Sequence, residues 1–386
     1  MGYAFTSADV AFLRSDAGVA ALAEVDALPL TDSTRLHDIG AARKLLGSSF
    51  APVVETVLLR RRAVSKLDSA QGWLFTDDAL QQATASAVAR HRAARFASRD
   101  VHDVTCSIGA DLYALSAVAS RCVGSDLDPV RLAMARNNVP GQLVVRADAL
   151  RPVSRATAVT ADPARRDSSG RRKWHPADFV PPLDELSSVY AGVDLAVKCA
   201  PGIDFAVAPW ADEIEVVSLD GAVREACLWT RGLATPGVSR RASVLHGSSS
   251  WTITDASPDD CPVAPPGSWL IDPDGAVVRA GLVRHYAALH GLWQLDERIA
   301  YLSGDTPPAG IRAFRVLEHG HYTEKALKSL LRARGIGRLE ILVRGLDIDP
   351  NTLRKRLKLA GPDEATAVLT RVGSKPVFLL CLAERT

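Results

Sequence analysis

The spacing of apolar residues predicts that the chain begins with helices. Up to about residue 72 the apolar positions recur at the three-to-four-residue spacing of a helix face, first in a segment that Pro29 closes and again over residues 51–67. Thr76 is followed by two aspartates, which is the pattern of a helix N-cap, and it predicts a helix that runs to about residue 97.

From about residue 101 short apolar runs alternate with helical patterns. This alternation is typical of βαβ units and predicts a doubly wound, Rossmann-like α/β sheet. The last two runs have shorter connections, as expected for a strand pair that closes the sheet. The predicted strands are Val101–Cys106, Arg121–Ser125, Gln142–Ala147, Ala158–Ala161, Asp194–Cys199, Glu213–Ser218 and Ala242–His246.

A loop rich in Pro, Asp and Ser, residues 255–268, predicts a boundary before a smaller α+β domain. We therefore predict an N-terminal helical region (1–75), an α/β domain (76–256) and a C-terminal α+β domain (257–386). In the C-terminal domain the predicted helices are 279–291, 323–334 and 350–359, and the predicted strands are 311–318, 338–344, 365–372 and 376–383.

Several classes of protein are disfavoured by what the sequence lacks. No apolar run reaches the roughly 18 residues of a membrane span, and the N-terminus has no basic-then-apolar signal region. The six cysteines form no C-x-x-C pair and have no accompanying His cluster. We expect a cytoplasmic protein with reduced thiols and no metal site.

A loop of small residues follows the first predicted strand and is the first candidate binding site. Small residues let the backbone approach a ligand closely, and the first βα turn of a doubly wound sheet is where ligands bind. The loop residues that we predict to bind a cofactor are Thr105, Cys106, Ser107 and Gly109.

Acidic residues follow the second and third predicted strands. Asp126 lies about 20 residues after the glycine loop, which suits hydrogen bonds to ribose hydroxyls, and Leu127 comes next. Asp148 and Ala149 lie just past the third strand, where a carboxylate suits an adenine amino group. The alternative for each acid is an ordinary exposed loop aspartate.

Two further candidates lie at the ends of the fourth and fifth strands. Asp162 can accept a hydrogen bond from a target amine, and the ring of Pro163 would fix the local backbone. Lys198 ends the fifth strand and can hold a substrate phosphate or carbonyl, or extend from a buried strand towards solvent. Cys199 is a weaker candidate, as a nucleophile for a pyrimidine ring or as core filling.

Together these residues resemble class I S-adenosylmethionine (SAM)-dependent methyltransferases. They are most similar to the bacterial branch that is related to trimethylguanosine synthase and carries a C-terminal THUMP-like domain. The resemblance implies SAM as cofactor and methyl transfer as the reaction. The similar segments are Asp103–Asp111, which resembles the loop D-x-T-C-G-I-G-G-D, and Asp126–Pro129, Asn137-Asn138, Val197–Asp204 and Gly345–Pro350.

The sequence departs from that family pattern in two places. Ser107 and Ala110 replace glycines of the loop. Ala164 and Arg165 stand where amino methyltransferases of this type have a second proline and an aromatic residue that stacks on the base, a part that Trp174 can take over.

The distribution of charge suggests RNA as the substrate. Five basic residues and Trp174 lie in residues 165–175, and residues 311–360 have a net charge of +7 in a chain of net charge +2. The alternatives are a solvated loop for residues 165–175 and, for the many arginines of the chain, the codon bias of a GC-rich genome. We predict methylation of a tRNA or rRNA nucleotide. The alternatives are a small-molecule methyltransferase and a catalytically degenerate protein that binds SAM and RNA.

Overall fold

The computed structural model describes residues 2–164 and 178–385. The chain forms two compact units. The first takes in residues 1–219 and 224–236, and the second takes in residues 220–223 and 237–386. No helix in the described ranges has the length and apolar character that crossing a bilayer requires.

The first unit contains the predicted doubly wound sheet. Its strands are β1 (Asp100–Asp103), β2 (Arg121–Asp126), β3 (Leu143–Arg146), β4 (Ala158–Ala161), β5 (Asp194–Cys199), β6 (Glu213–Leu219) and β7 (Ala222–Trp229). They lie in the order β3-β2-β1-β4-β5-β7-β6, in which β1 to β5 are parallel and β7 is antiparallel to β5. The connection changes direction between β1 and β4, the point where open parallel sheets bind ligands.

Helices precede and flank this sheet. They are α1 (Ser7–Leu13), α2 (Asp16–Asp26), α3 (Arg35–Leu46), α4 (Phe50–Ala63), α5 (Asp77–Gln82), α6 (Ser86–Ala93), α7 (Ala110–Ser116), α8 (Pro129–Asn138) and α9 (Leu183–Val189). Buried residues of α1, α2 and α4 form one core with Trp73–Phe75, and this core includes Ile108 and Met134 of the α/β part. The compact units do not coincide with the predicted domain limits at 75/76 and 256/257, which stay predictions.

The second unit is the α+β part. Its elements are β8 (Arg240–His246), β9 (Ser249–Thr254), β10 (Trp269–Ile271), α10 (Gly275–Ala280), α11 (Val283–His290), β11 (Trp293–Asp296), β12 (Ile299–Gly304), β13 (Arg312–His321), α12 (Glu324–Ala333), β14 (Ile336–Val343), α13 (Pro350–Leu357), β15 (Asp363–Val372) and β16 (Lys375–Arg385). A seven-stranded sheet has the order β11-β12-β10-β13-β16-β15-β14, and α12 and α13 bury leucines against β14 to β16.

Some predicted elements were wrong in detail. The helix predicted from Thr76 to about residue 97 is two helices, α5 and α6, because the backbone is extended at Ala83. Gly281, with φ +78°, ends α10 and splits the helix predicted at 279–291. The strand β7 and the strands β9 to β12 were missed. Polar residues interrupt β7, β9 and β11, and β10 has only three residues.

Candidate active site

A pocket of about 530 Å³ opens in the first unit where β1 to β4 end. That volume is in the range of small-molecule sites. Of the residues predicted to bind the cofactor, Thr105, Cys106, Ser107, Asp126, Leu127, Asp148 and Ala149 line it. Asp162 lines it as well, whereas Gly109, Pro163 and Lys198 are not among the lining residues.

The glycine loop is a tight turn that only small residues tolerate. Gly109 has φ +90°, and a Cβ atom built there would lie 2.7 Å from Val139 Cγ2. Ser107 also has a positive φ, +50°. The buried amide of Asn138 donates to the carbonyls of Ile108 and Leu74, both at 2.9 Å. The loop is therefore fixed between the helix that follows β2 and the N-terminal region.

Asp126 is held at the end of β2 by backbone N–H groups. Its Oδ2 accepts from the N–H of Ser107 at 3.0 Å, and its Oδ1 accepts from the N–H of Asp128 at 2.9 Å. Each carboxylate oxygen can accept a further hydrogen bond. The pocket thus presents a fixed acceptor pair beside the glycine loop, which suits the two hydroxyls of a ribose.

The next part of the pocket, past β3, combines an apolar surface with an acid. Leu127 is an exposed large hydrophobic residue that lines the pocket. Asp148 accepts from the N–H of Leu150 at 2.9 Å, and the Ala149 carbonyl accepts from the Tyr190 hydroxyl at 2.7 Å. A flat apolar ring with an exocyclic amine, such as adenine, fits this end.

Asp162 lies at the end of β4 with its backbone and its side chain both engaged. The Asp162 N–H donates to Thr105 Oγ1 at 2.6 Å, and Lys198 Nζ donates to Asp162 Oδ2 at 2.5 Å. Burial lowers the pKa of Lys198, but the carboxylates of Asp162 and Asp111 outweigh burial and raise it overall. Lys198 therefore stays an ammonium ion and is a partner of Asp162.

Buried charges continue behind this pair. Arg92 of α6 is 4% exposed and pairs with Asp111 of α7 and with Glu225 of β7. Thr84 donates to Asp111 Oδ2 at 3.2 Å. Burial raises the pKa of Asp111, but Arg92 and Lys198 outweigh it, so the pKa lies below its ordinary value. Asp111 is therefore ionised at neutral pH.

The two candidate cysteines are poor nucleophiles in this structure. Cys106 is 3% exposed, and burial raises the pKa of its thiol. Its backbone N–H donates to the Ser125 carbonyl at 2.9 Å, which ties the loop to β2. Cys199 is buried and does not line the pocket formed by the described residues.

The pocket includes residues that the sequence did not single out. Gln82, Ala83 and Thr84 line it from the break between α5 and α6, and Arg131 lines it from α8. Val180–Pro182 form a wall beside Ala164, whose backbone exchanges hydrogen bonds of 2.8 and 3.0 Å with Val180. For Gln82, Ala83 and Thr84, the N-cap pattern at Thr76 was the only indication in the sequence.

The sequence also predicted a basic, aromatic-containing loop beside the site and the absence of a metal. The basic segment 165–175, with Trp174, lies outside the described residues. Among the described residues, the pocket lining contains no aromatic side chain. Within residues 2–164 and 178–385, no three His, Cys, Asp or Glu side chains are grouped as metal ligands would be.

Comparison with known proteins gives matches over most of the chain. Two uncharacterized S-adenosylmethionine-dependent methyltransferases of Mycobacterium tuberculosis, from strains CDC 1551 and H37Rv, are each 56% identical over 335 residues, which is 83% of this chain and 93% of theirs. Residues 311–383 match the THUMP domain-like family, and residues 6–63 match a domain family of unknown function.

A crystal structure supports the same fold. It is a protein of Porphyromonas gingivalis W83, provisionally described as a methyltransferase, with a TM-score of 0.76 and 21% identity over 98% of this chain and 99% of that chain. The pocket residues fit SAM in chemistry, since acceptors for ribose and adenine adjoin a close-packed glycine loop. From the 56% identity and this topology, the chain belongs to the class I S-adenosylmethionine-dependent methyltransferases and carries a C-terminal THUMP-like domain.

Proposed function

We propose that this enzyme methylates a nitrogen atom of an RNA nucleotide, with Asp162 as the hydrogen-bond acceptor for the target amine. The observation that carries the proposal is the position of the Asp162 carboxylate, which lines the pocket at the end of β4 while Lys198 occupies only its Oδ2. In the described ranges Oδ1 has no recorded hydrogen-bond donor, so it can accept one from a substrate.

The proposed cofactor residues are those that line the pocket. Asp126 would hold the ribose, Leu127, Asp148 and Ala149 the adenine, and Thr105–Gly109 the amino-acid half. When bound, SAM supplies a methyl group that its sulfonium makes electrophilic. Catalysis then depends on positioning and on excluding water rather than on activating a strong base.

Asp162 and its supports would perform that positioning. Thr105 fixes the Asp162 backbone, and Lys198 fixes one carboxylate oxygen and balances its charge. The remaining oxygen would orient the N–H bond of the target so that the nitrogen lone pair faces the methyl group. As the new N–C bond forms and the C–S bond breaks, the nitrogen loses a proton, which Asp162 can receive or pass to water.

The absence of a second proline after Pro163 does not leave the backbone there unrestrained. Ala164 stands at that position, and its two hydrogen bonds with Val180 fix the backbone after Pro163. Val180, Pro181 and Pro182 add an apolar wall next to Asp162, a surface on which a base can pack. The backbone geometry therefore supports an active site more than a degenerate one.

RNA as substrate is supported by the charges of the second unit. Six of the twelve basic residues in 311–360 form ion pairs, so much of the +7 is locally balanced. The pairs are Arg312–Glu340, Arg315–Glu384, Arg334–Glu318, Arg338–Glu364, Arg344–Asp272 and Arg356–Glu324. Among residues 2–164 and 178–385, no carboxylate forms an ion pair with the other six, which are Lys325, Lys328, Arg332, Arg354, Lys355 and Lys358.

These six residues lie on α12, on α13 or directly after α13, and we call them the basic helix surface. The two helices are neighbours, since Lys328 Nζ donates to the Arg356 carbonyl at 3.0 Å. Positive side chains whose charge is not balanced by a carboxylate are available to phosphates, and their contacts release counterions. The surface lies in the segment that matches the THUMP domain-like family.

A transfer assay tests the proposal. Labelled SAM is incubated with total RNA from a strain that lacks the gene, and the wild type is compared with Asp162→Ala. We expect the variant to lose about a hundredfold in rate with nearly unchanged SAM affinity, the scale for one positioned group. Equal rates would overturn the role of Asp162. No transfer by the wild type, despite SAM and RNA binding, would favour the degenerate protein.

A further inference from the structure

Asp111 is a charged pocket residue that has no role in the proposed binding of ribose or adenine. The acid suited to ribose lies at the end of β2, and the residues suited to adenine follow β3. The opposite end of the pocket, at Thr105, Asp111 and Asp162, is left for the amino-acid half of SAM. That half carries an α-ammonium group and an α-carboxylate group.

The Asp111 carboxylate has unused capacity to accept hydrogen bonds. Its Oδ2 accepts from the Thr84 hydroxyl. Its Oδ1 is buried and is engaged in the ion pair with Arg92 Nη2 at 2.5 Å. The Asp111 side chain is 19% exposed and lines the pocket, and its Oδ2, for which the described residues supply one hydrogen-bond donor, can accept a second hydrogen bond from a ligand.

The sign of the charge selects which group of the ligand can bind. An ionised Asp111 attracts an ammonium group and repels a carboxylate. Arg92 is the nearest cation, but it is almost fully buried and does not line the pocket, so it stabilises Asp111 rather than a ligand.

We propose that Asp111 binds the α-ammonium group of SAM, and that Thr84 is a positioning residue that orients the Asp111 carboxylate. This inference rests on the proposed cofactor site and is independent of the RNA substrate. It assigns the end of α7 that faces the pocket a direct role in holding the methionine half beside Asp162.

The competing explanation is that Asp111 only balances the charge of Arg92. Glu225 separates the two explanations, because it pairs with the same arginine and is 1% exposed, but it does not line the pocket. Asp111→Asn and Glu225→Gln each remove one carboxylate charge from Arg92. Only the first removes a charge from the pocket.

Calorimetry with two ligands tests the proposal. S-adenosylhomocysteine has the α-ammonium group, whereas 5′-methylthioadenosine has the same adenosine and lacks the amino acid. We expect Asp111→Asn to weaken S-adenosylhomocysteine binding by about tenfold or more, the scale of a charged hydrogen bond, and to leave 5′-methylthioadenosine unchanged. Glu225→Gln should leave both affinities unchanged. Equal losses in the two variants, equal losses for the two ligands, or no loss would overturn the proposal.

A measurement on the wild type covers the case in which a variant does not fold. An analogue of S-adenosylhomocysteine with hydrogen in place of the α-amino group should bind about tenfold more weakly or worse. Equal binding would overturn the proposal. If the wild type binds S-adenosylhomocysteine but does not methylate RNA, the substrate proposal fails and this one stands. If it binds neither adenosine ligand, the cofactor site itself fails.

Discussion

Local backbone hydrogen bonds fix the acids around the pocket. Asp126 accepts from Ser107 and Asp128, and Asp148 accepts from Leu150. Side chains held in this way lose little further conformational freedom when a ligand binds, which favours tight binding. Asp162 differs, because its carboxylate is held by the side chain of Lys198 from the neighbouring strand β5.

The cofactor role of Asp126 can be tested by truncation. Asp126→Ala should weaken SAM binding at least about tenfold, since it removes two charge-assisted hydrogen bonds to the ribose and the bond that holds Ser107. Calorimetry would measure the affinity. Asp184→Ala changes an exposed acid on α9 that is not a lining residue of the pocket, and it is the matched control. An affinity that stays within twofold of the control, about 0.4 kcal/mol, would refute the ribose assignment.

His102 predicts a pH dependence of stability. It is 2% exposed between the hydroxyls of Ser125 and Ser154, both at 2.9 Å, and burial lowers its pKa from 6.5 to about 4. Below pH 6.5 the unfolded chain binds a proton that the folded chain does not, so stability falls as the pH drops from 6.5 to 4.

Urea unfolding of the wild type and of His102→Asn isolates this effect from the titration of carboxylates. The free energy of unfolding of the wild type, relative to the variant, should fall between pH 6.5 and 4 by up to about 3 kcal/mol. A difference that is independent of pH would contradict the assignment of a neutral buried imidazole.

At the scale of elements, the sequence predicted the parallel strands well and the ion-paired elements poorly. Strands β1 to β5 follow from their continuous apolar runs. The break between α5 and α6 has no glycine or proline, and it coincides with the Thr84–Asp111 bond and the pocket lining. Strand β7 was missed because Arg224 and Glu225 interrupt it, and only the partner Arg92, 133 residues away, explains a buried glutamate there.

The ion pairs of α6 predict unequal effects for two arginines on one helix. Arg92→Met leaves the buried carboxylates of Asp111 and Glu225 without their cation, and it should lower the free energy of unfolding by about 3–5 kcal/mol. Arg90→Met removes an exposed pair with Asp68, in which both side chains are about 60% exposed, and should cost at most about 1 kcal/mol. Urea denaturation would measure both, and similar losses would show that the buried network contributes little.

At the scale of the whole molecule, the proposed functions divide between the two compact units. The first contains the pocket and its buried charge network. The second contains the basic helix surface. The sequence showed the charge excess and singled out loops that line the pocket, but it could not show which basic residues have acidic partners, because those partners lie far away in the sequence.

RNA binding should depend on the basic helix surface and on salt. Changing Lys325, Arg332 and Lys355 to Glu should weaken the binding of tRNA and rRNA fragments, whatever their sequence, and flatten the dependence of affinity on salt. Fluorescence anisotropy from about 50 to 200 mM salt would measure this. Lys375→Glu, at the first residue of β16, gives the background effect of one reversed charge. A triple variant with the wild-type affinity and salt slope would place RNA elsewhere or exclude it.

Mass spectrometry of RNA nucleosides tests the central claim most directly. RNA would be compared from the wild-type strain, from a strain that lacks the gene, and from that strain complemented with the wild type or with Asp162→Ala. We predict one N-methylated nucleoside that disappears on deletion, returns with the wild-type gene and does not return with Asp162→Ala. An identical set of modified nucleosides in all four strains would contradict RNA as the substrate, and restoration by Asp162→Ala would contradict the proposed role of its carboxylate.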